Sequence, residues 1–357
     1  MKKIFFLSLL FAFNSNAQEK CLSGKSGNNH LVDQLQKARS ESPIAKLISA
    51  KYNLDKKTEA DSNCADCEKS KNKSPQKISA TEKTYFKSEC IEAAASIQTG
   101  SREISCPDQK IAKHQFCFTK SLVTYQNAAL SEMYKCVKFT TGLPITPDGL
   151  FEMYTLESGF KPAYTNGGGT GLGQLTGIFI KDLHQKHRGL STLNSIAKST
   201  EKSCDAAKII LNKDLKSQPQ FKNKCDFTQY GEGMERNILY TLSGLASSWK
   251  KDIEPLMKDF SAKNANNSML PKAQERALLN SYGPGGRAAA RAAVRRLSRL
   301  TPEKFIAAMD KPMMTENNNN LTVYTTRMHK KQNIIGQKLS GDLRSQFNKE
   351  GSSACTE

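Results

Sequence analysis

Ten cysteines restrict what this chain can become: Cys21, Cys64, Cys67, Cys90, Cys106, Cys117, Cys136, Cys204, Cys225 and Cys355. An even number of them, and so up to five disulfides, suits an oxidising compartment. The first residues supply the route to one. "MKKIFFLSLLFAFNSNAQ" carries two lysines, an apolar run too short to span a bilayer and Ala17 at a cleavage position, the pattern of a secretory signal over residues 1–17. A lipoprotein would need a cysteine where Gln18 stands. No later stretch is apolar for long enough to cross a membrane. The expectation is therefore a secreted or periplasmic protein with no transmembrane segment after signal cleavage. Cys64 and Cys67 lack the strand-to-helix context of a redox motif and a histidine at zinc-finger spacing, so they are read as structural. Cys204 with Cys225, and Cys106 with Cys117, are the expected pairs.

Charge narrows the partners. Removing Lys2 and Lys3 with the signal takes the net charge from +19 to +17, and so basic a protein is drawn to anionic polymers. Exported proteins seldom meet nucleic acid, and no nucleic-acid motif is present, which leaves the anionic polymers of a cell envelope. Arg287, Arg291, Arg295 and Arg299 recur every fourth residue in "GRAAARAAVRRLSRL" and read as a solvated helix face, with Ala289, Ala293, Leu297 and Leu300 turned to the core. His184 and His187 lie three apart in "KDLHQKHRG", but no third ligand accompanies them. No metal and no cofactor is expected.

Composition also suggests an order along the chain. Residues 18–83 are polar and lysine-rich, with a short amphipathic helix in "HLVDQLQKARS", and read as an arm or linker. Residues 84–137 carry four cysteines and helical periodicity, so they read as a small disulfide-tied helical subdomain. The main domain is placed at 138–345, with a tail at 346–357.

Chemistry concentrates in "TPDGLFEMYTLESGFKPAYTNGGGTGLGQLT". Thr146 is a suitable N-cap, Pro147 suits the first turn, Asp148 complements the dipole, and Leu150, Met153 and Tyr154 can share a buried face. A helix of about three turns results, with Gly159 as its stop. Glu157 then falls in the last turn, where the negative end of the helix dipole and partial burial both disfavour its ionised form. Folding gains little from that placement, whereas a general acid needs it. The glycines of "NGGGTGLGQ" permit positive φ and close backbone approach, as in a hairpin or loop lining a cleft.

"ESGF" followed by "GLGQLT" resembles the E-S-x-F and G-L-M-Q motifs of the lytic transglycosylase and goose-type lysozyme superfamily, whose members cut peptidoglycan glycan strands. "ERNILYTLSGLASSW" resembles its N-I-x-x-G-x-x-Y-L helix through Asn237, Ile238 and Gly244, and "ERALLNSYGPGG" its A-L-A-A-Y-N-A-G-P-G segment. The likeness spans residues 140–340. It implies a mainly α fold, with a lysozyme-like catalytic domain behind a disulfide-tied helical N-terminal region, and Glu157 as sole acid and base. It also implies that Ser158 supports Glu157 or the substrate, that Gln174 lines the sugar pocket and that Tyr282 faces the carboxylate. The chain departs from the pattern in three places. Gly173 stands where methionine is usual, Gly283 where asparagine is usual, and "YTTRMHKKQNII" only loosely follows the closing E-T-x-x-Y-V helix, with His329 as the candidate for its tyrosine.

Three activities remain as alternatives: a lytic transglycosylase, a hydrolytic lysozyme acting on plain or deacetylated glycan, and a silent wall-binding protein. No Asp or Glu occurs between Ser158 and Gln174, where goose-type lysozymes are understood to carry water-directing aspartates. That favours the first alternative and 1,6-anhydro products.

Overall fold

The computed structural model describes residues 30–54, 86–97, 102–106, 110–113, 117–283 and 286–356. The signal expected over 1–17 and the cysteines Cys21, Cys64 and Cys67 lie outside the described residues. As expected, the fold is mainly helical.

Helices α1 (His30–Glu41), α2 (Pro43–Lys51) and α3 (Ser88–Ile97) precede two short strands, β1 (Arg102–Ser105) and β2 (Lys110–Lys113). Then come α4 (Lys120–Thr141), α5 (Pro147–Glu157), β3 (Tyr164–Asn166) and β4 (Gly169–Thr170). The rest is helical: α6 (Gly177–Leu183), α7 (Leu190–Ala197), α8 (Asp205–Asp214), α9 (Gly233–Ser248), α10 (Glu254–Lys263), α11 (Leu270–Asn280), α12 (Gly286–Leu297), α13 (Pro302–Met309), α14 (Val323–Lys338) and α15 (Gly341–Glu350). One hydrophobic core runs from Leu31 on α1 to Cys355 at the other end of the described chain.

The centre of that core is α4 lying along α9. Every residue of α9 is buried, and so is most of α4, whose exposed positions include Lys120 and Phe139. Thr119 caps α4 by accepting from the Leu122 N–H, and Gly142 ends it at φ 66° with its N–H on the Lys138 carbonyl. The expected division between residues 137 and 138 falls inside this 22-residue helix, and the described residues before it, among them Phe86, Ile91, Phe118 and Leu122, share one core with the helices beyond it. That stretch is not wholly helical either. Its strands complete a four-stranded sheet in the order β2-β1-β3-β4, with Arg102 opposite Thr165 and Glu103 opposite Tyr164.

The disulfides tie distant segments rather than neighbours. Cys106 bonds Cys225, Cys136 bonds Cys204, and Cys90 bonds Cys355. These bonds correct both expected pairs, Cys204 with Cys225 and Cys106 with Cys117. Cys117 is itself disulfide-bonded. Sequence proximity suggested the wrong partners because helices bring remote Cα atoms to bonding range while holding near ones apart.

The segment expected as a tail is anchored. Cys355 is buried, Phe86 bridges Thr356, and the Ser352 hydroxyl donates to Glu152 Oε1 at 2.6 Å. Helix α12 turns Ala290, Ala293, Val294 and Leu297 inward, and Leu300 packs partly buried against the core as expected, while Ala290 rather than Ala289 is fully buried. Its first arginines are paired: Arg287 and Arg291 each lie 3.3 Å from Asp252, while Arg295 and Arg299 are exposed.

Candidate active site around Glu157

Helix α5 begins as its sequence dictates. Thr146 Oγ1 accepts from the Gly149 N–H, with Pro147 in the first turn and Asp148 acidic beside it. A second lock holds its start against α11: Glu275 Oε1 accepts the Thr146 N–H at 2.7 Å, and Lys272 reaches Asp148 at 2.8 Å. A Cβ on Gly149 would come within 2.1 Å of Glu275 Oε1, so the close approach requires glycine there.

The helix ends at Glu157, and its side chain stays partly exposed. Burial of the carboxyl raises its pKa to about 7, against the opposing pull of a Tyr324 hydrogen bond and the Arg327 charge. Half of the carboxyl groups are therefore protonated near neutral pH. Tyr324 donates from its hydroxyl to Glu157 Oε1 at 2.7 Å. Burial, with the Glu157 charge behind it, holds the hydroxyls of Tyr324 and Tyr282 well above the usual phenol range, so both remain donors.

Tyr282, expected to face the carboxylate, is close enough to feel the Glu157 charge but makes its hydrogen bond elsewhere. Its hydroxyl donates to the Gly173 carbonyl, and its ring meets that of Tyr324 edge-on with centroids 5.9 Å apart. Tyr324 was not among the sequence candidates. His329, the residue considered for a closing tyrosine on α14, lies five positions further on and is exposed.

Tyr324 was hidden because it falls among threonines on a face that the sequence pattern does not mark as special. Its signal was a space, not a side chain: a Cβ on Gly283 would come within 2.2 Å of the Tyr324 ring. The departure at Gly283 makes room for the tyrosine that touches Glu157. Gly173 is explained in the same way, since a Cβ there would sit 2.0 Å from Thr241 Oγ1.

The glycine run forms a hairpin. Gly167 and Gly168, at φ 54° and 88°, make its two-residue turn between β3 and β4. Asn237 clamps the loop after β4, accepting the Gly173 N–H at 2.9 Å and donating to the Thr170 carbonyl at 2.9 Å. Gln174 sits at φ 50°, with its amide nitrogen donating to the Tyr164 and Gly171 carbonyls at 3.1 and 2.8 Å. It thus shapes the loop with the donor expected to meet a sugar. Ser158, expected to support Glu157 or the substrate, is fully buried, and its hydroxyl turns back to the Tyr154 carbonyl at 3.4 Å.

His184 packs against Tyr240. Its Nε2 lies 2.8 Å from the Tyr240 hydroxyl, and among the described residues no group of His, Cys, Asp and Glu could hold a metal ion. Nor is any helix among the described residues long and apolar enough to cross a membrane. Comparison with family models, curated proteins and solved structures finds no match for this chain.

Tyr324→Phe is expected to move Glu157 further from the ordinary carboxyl range, because the lost bond favours the ionised form. A 13C NMR titration of the Glu157 carboxyl would place its midpoint above about 7. An unmoved or lowered midpoint would show that the hydroxyl does not steady the carboxylate.

Proposed function

We propose that this protein is an exported, lysozyme-like glycosidase that cuts the glycan strands of peptidoglycan with Glu157 as its single acid and base, by the lytic transglycosylase route. The observation that carries this reading is the state of Glu157: a carboxyl half-protonated near neutral pH, partly open to solvent, steadied at 2.7 Å by a phenol that stays protonated. Such a group can give a proton and then take one back.

In the proposed reaction Glu157 protonates the glycosidic oxygen, and the bond from that oxygen to the muramyl C1 breaks. The ring then carries oxocarbenium character, which the new Glu157 carboxylate stabilises. That carboxylate next takes the proton of the muramyl C6 hydroxyl, whose oxygen bonds C1 and closes a 1,6-anhydro ring. Glu157 ends protonated, as it began. Tyr324 supports the middle of the cycle, since its hydrogen bond favours the ionised carboxylate.

The choice of an internal nucleophile over water rests on the scarcity of acids. The groups that act on Glu157 are Tyr324 and Arg327, neither of them a carboxylate, and the stretch from Ser158 to Gln174 contains no Asp or Glu. The cysteines and the N-terminal sequence support an exported protein, and the net charge of +17 left once Lys2 and Lys3 go with the signal supports attraction to anionic envelope polymers.

The test is release of soluble muropeptides from purified peptidoglycan by the mature protein. The reading expects release that rises with enzyme concentration and is absent with Glu157→Gln. No release from plain or deacetylated wall would overturn it.

A further inference from the structure

Helix α14 brings more to Glu157 than the Tyr324 hydroxyl. Tyr324, Arg327 and Lys331 stand three and then four residues apart, so they share one face of the helix. The 2.7 Å bond from Tyr324 fixes that face against the Glu157 carboxyl. Arg327 and Lys331 follow Tyr324 by about 4.5 and about 10.5 Å along the helix axis. Arg327 is exposed and Lys331 is half-buried.

Folding does not account for this pair of cations. Helix α14 contains no Asp or Glu. Burial, with the Arg327 charge behind it, holds the Lys331 ammonium below the usual lysine range. Helix α3 packs against α14 and carries Glu89 and Glu92, but burial and the Glu89 charge are what act on Glu92. Arg327 makes itself felt at Glu157 by its charge, while the hydrogen bond to that carboxyl comes from Tyr324. Like charges one turn apart weaken a helix. An anion held between them would reverse that effect, and the planar fork of an arginine suits a carboxylate.

We infer that Arg327 and Lys331 form a binding site for a carboxylate of the substrate, beside Glu157. If Glu157 cuts at a muramyl C1, the lactyl group at C3 of the same ring is the part that bears an acid: its own carboxylate in a peptide-free strand, or a carboxylate of the peptide attached through it. That identification rests on the reading of Glu157 as a glycosidase; the carboxylate site does not.

The test is NMR titration of the mature protein with probes that contain no bond for it to cut. N-acetylmuramic acid is compared with N-acetylglucosamine, which lacks the acid, and N-acetylmuramyl-L-alanyl-D-isoglutamine with the same compound amidated at its carboxyl. An acidic probe is expected to bind at least about fivefold tighter than its neutral counterpart, the size of one or two partly screened charge pairs. Preference for muramic acid identifies the lactyl carboxylate as the source, and preference confined to the dipeptide identifies the peptide. The amide shifts should centre on Arg327 and Lys331. Arg327→Gln combined with Lys331→Gln should remove the preference and melt no lower than the parent, since it relieves a like-charge pair.

Equal binding of acidic and neutral probes, shifts confined to other parts of the protein, or a preference that survives the double variant would each overturn the site. Wall cleavage without any carboxylate preference would remove this site and leave the reaction standing. A preference in a protein that cuts no wall would remove the reaction and leave the site.

Discussion

Replacing Glu157 by glutamine is expected to lower peptidoglycan cleavage by several orders of magnitude, because in the proposed reaction it removes the acid that protonates the leaving oxygen and the charge that would face an oxocarbenium-like ring. The same change should stabilise the fold above neutral pH. The native carboxyl has its pKa raised from 4.5 to about 7 by burial, so the folded state holds a proton that the unfolded state has lost. Stability from this group is fully present below pH 4.5, declines as pH rises through the interval, and is gone above about 7. The deficit there is roughly 3 kcal/mol. Glutamine does not titrate and still offers an acceptor to Tyr324. Melting curves of variant and parent should therefore coincide near pH 4 and separate by pH 8, the variant higher. An inactive variant that melts lower at pH 8 would place Glu157 in the structure rather than in the chemistry, and an active, folded one would remove it from the chemistry altogether.

The second large effect concerns the Cys90–Cys355 disulfide, whose ends are 265 residues apart in sequence. Closing so long a loop in the unfolded chain is worth about 5 kcal/mol in the chain-entropy account. The bond also fixes the segment from which Ser352 reaches Glu152. Cys90→Ala with Cys355→Ala is expected to reduce the unfolding free energy by about 4–5 kcal/mol, read from urea denaturation. The Cys136–Cys204 bond closes a separation of 68 residues, and its loss should cost less. A change below about 1 kcal/mol on removing Cys90–Cys355 would show that packing alone holds the end of the chain.

Local signals were readable in the sequence wherever local chemistry decides. Thr146, Pro147 and Gly159 bound α5 as their residue types require, because capping and helix termination involve neighbours only. The glycine run announced a tight hairpin for the same reason. The pairings that assemble the site were not readable. Cysteine spacing holds no information on which helices cross, so Cys106 met Cys225 and not Cys117. Four cysteines and helical periodicity over 84–137 suggested a separate subdomain ending there, yet α4 runs on through residue 138 to Thr141.

Tyr324 lies 167 residues from Glu157, and nothing near it in sequence points to a carboxylate. The resemblance directed attention to Tyr282, which is adjacent but serves the Gly173 carbonyl. Gly283 departs from the motif for a reason visible only in three dimensions: an asparagine Cβ at that position would strike the Tyr324 ring. Gln174 and Ser158 have the residue types of ligand-facing groups, and both spend hydrogen bonds on the backbone around them. The hairpin that carries Gln174 is itself held by β1, from a region that composition had set apart.

The most direct test of a single-carboxylate mechanism is the mass of the fragments released from the wall. If Glu157 acts alone, with the muramyl C6 hydroxyl as nucleophile, mass spectrometry of the digest should show muropeptides ending in 1,6-anhydro muramic acid, each lighter by one water than its hydrolytic counterpart. Products with reducing muramic ends and no anhydro form would contradict the account, showing that water enters the site and that a second group directs it.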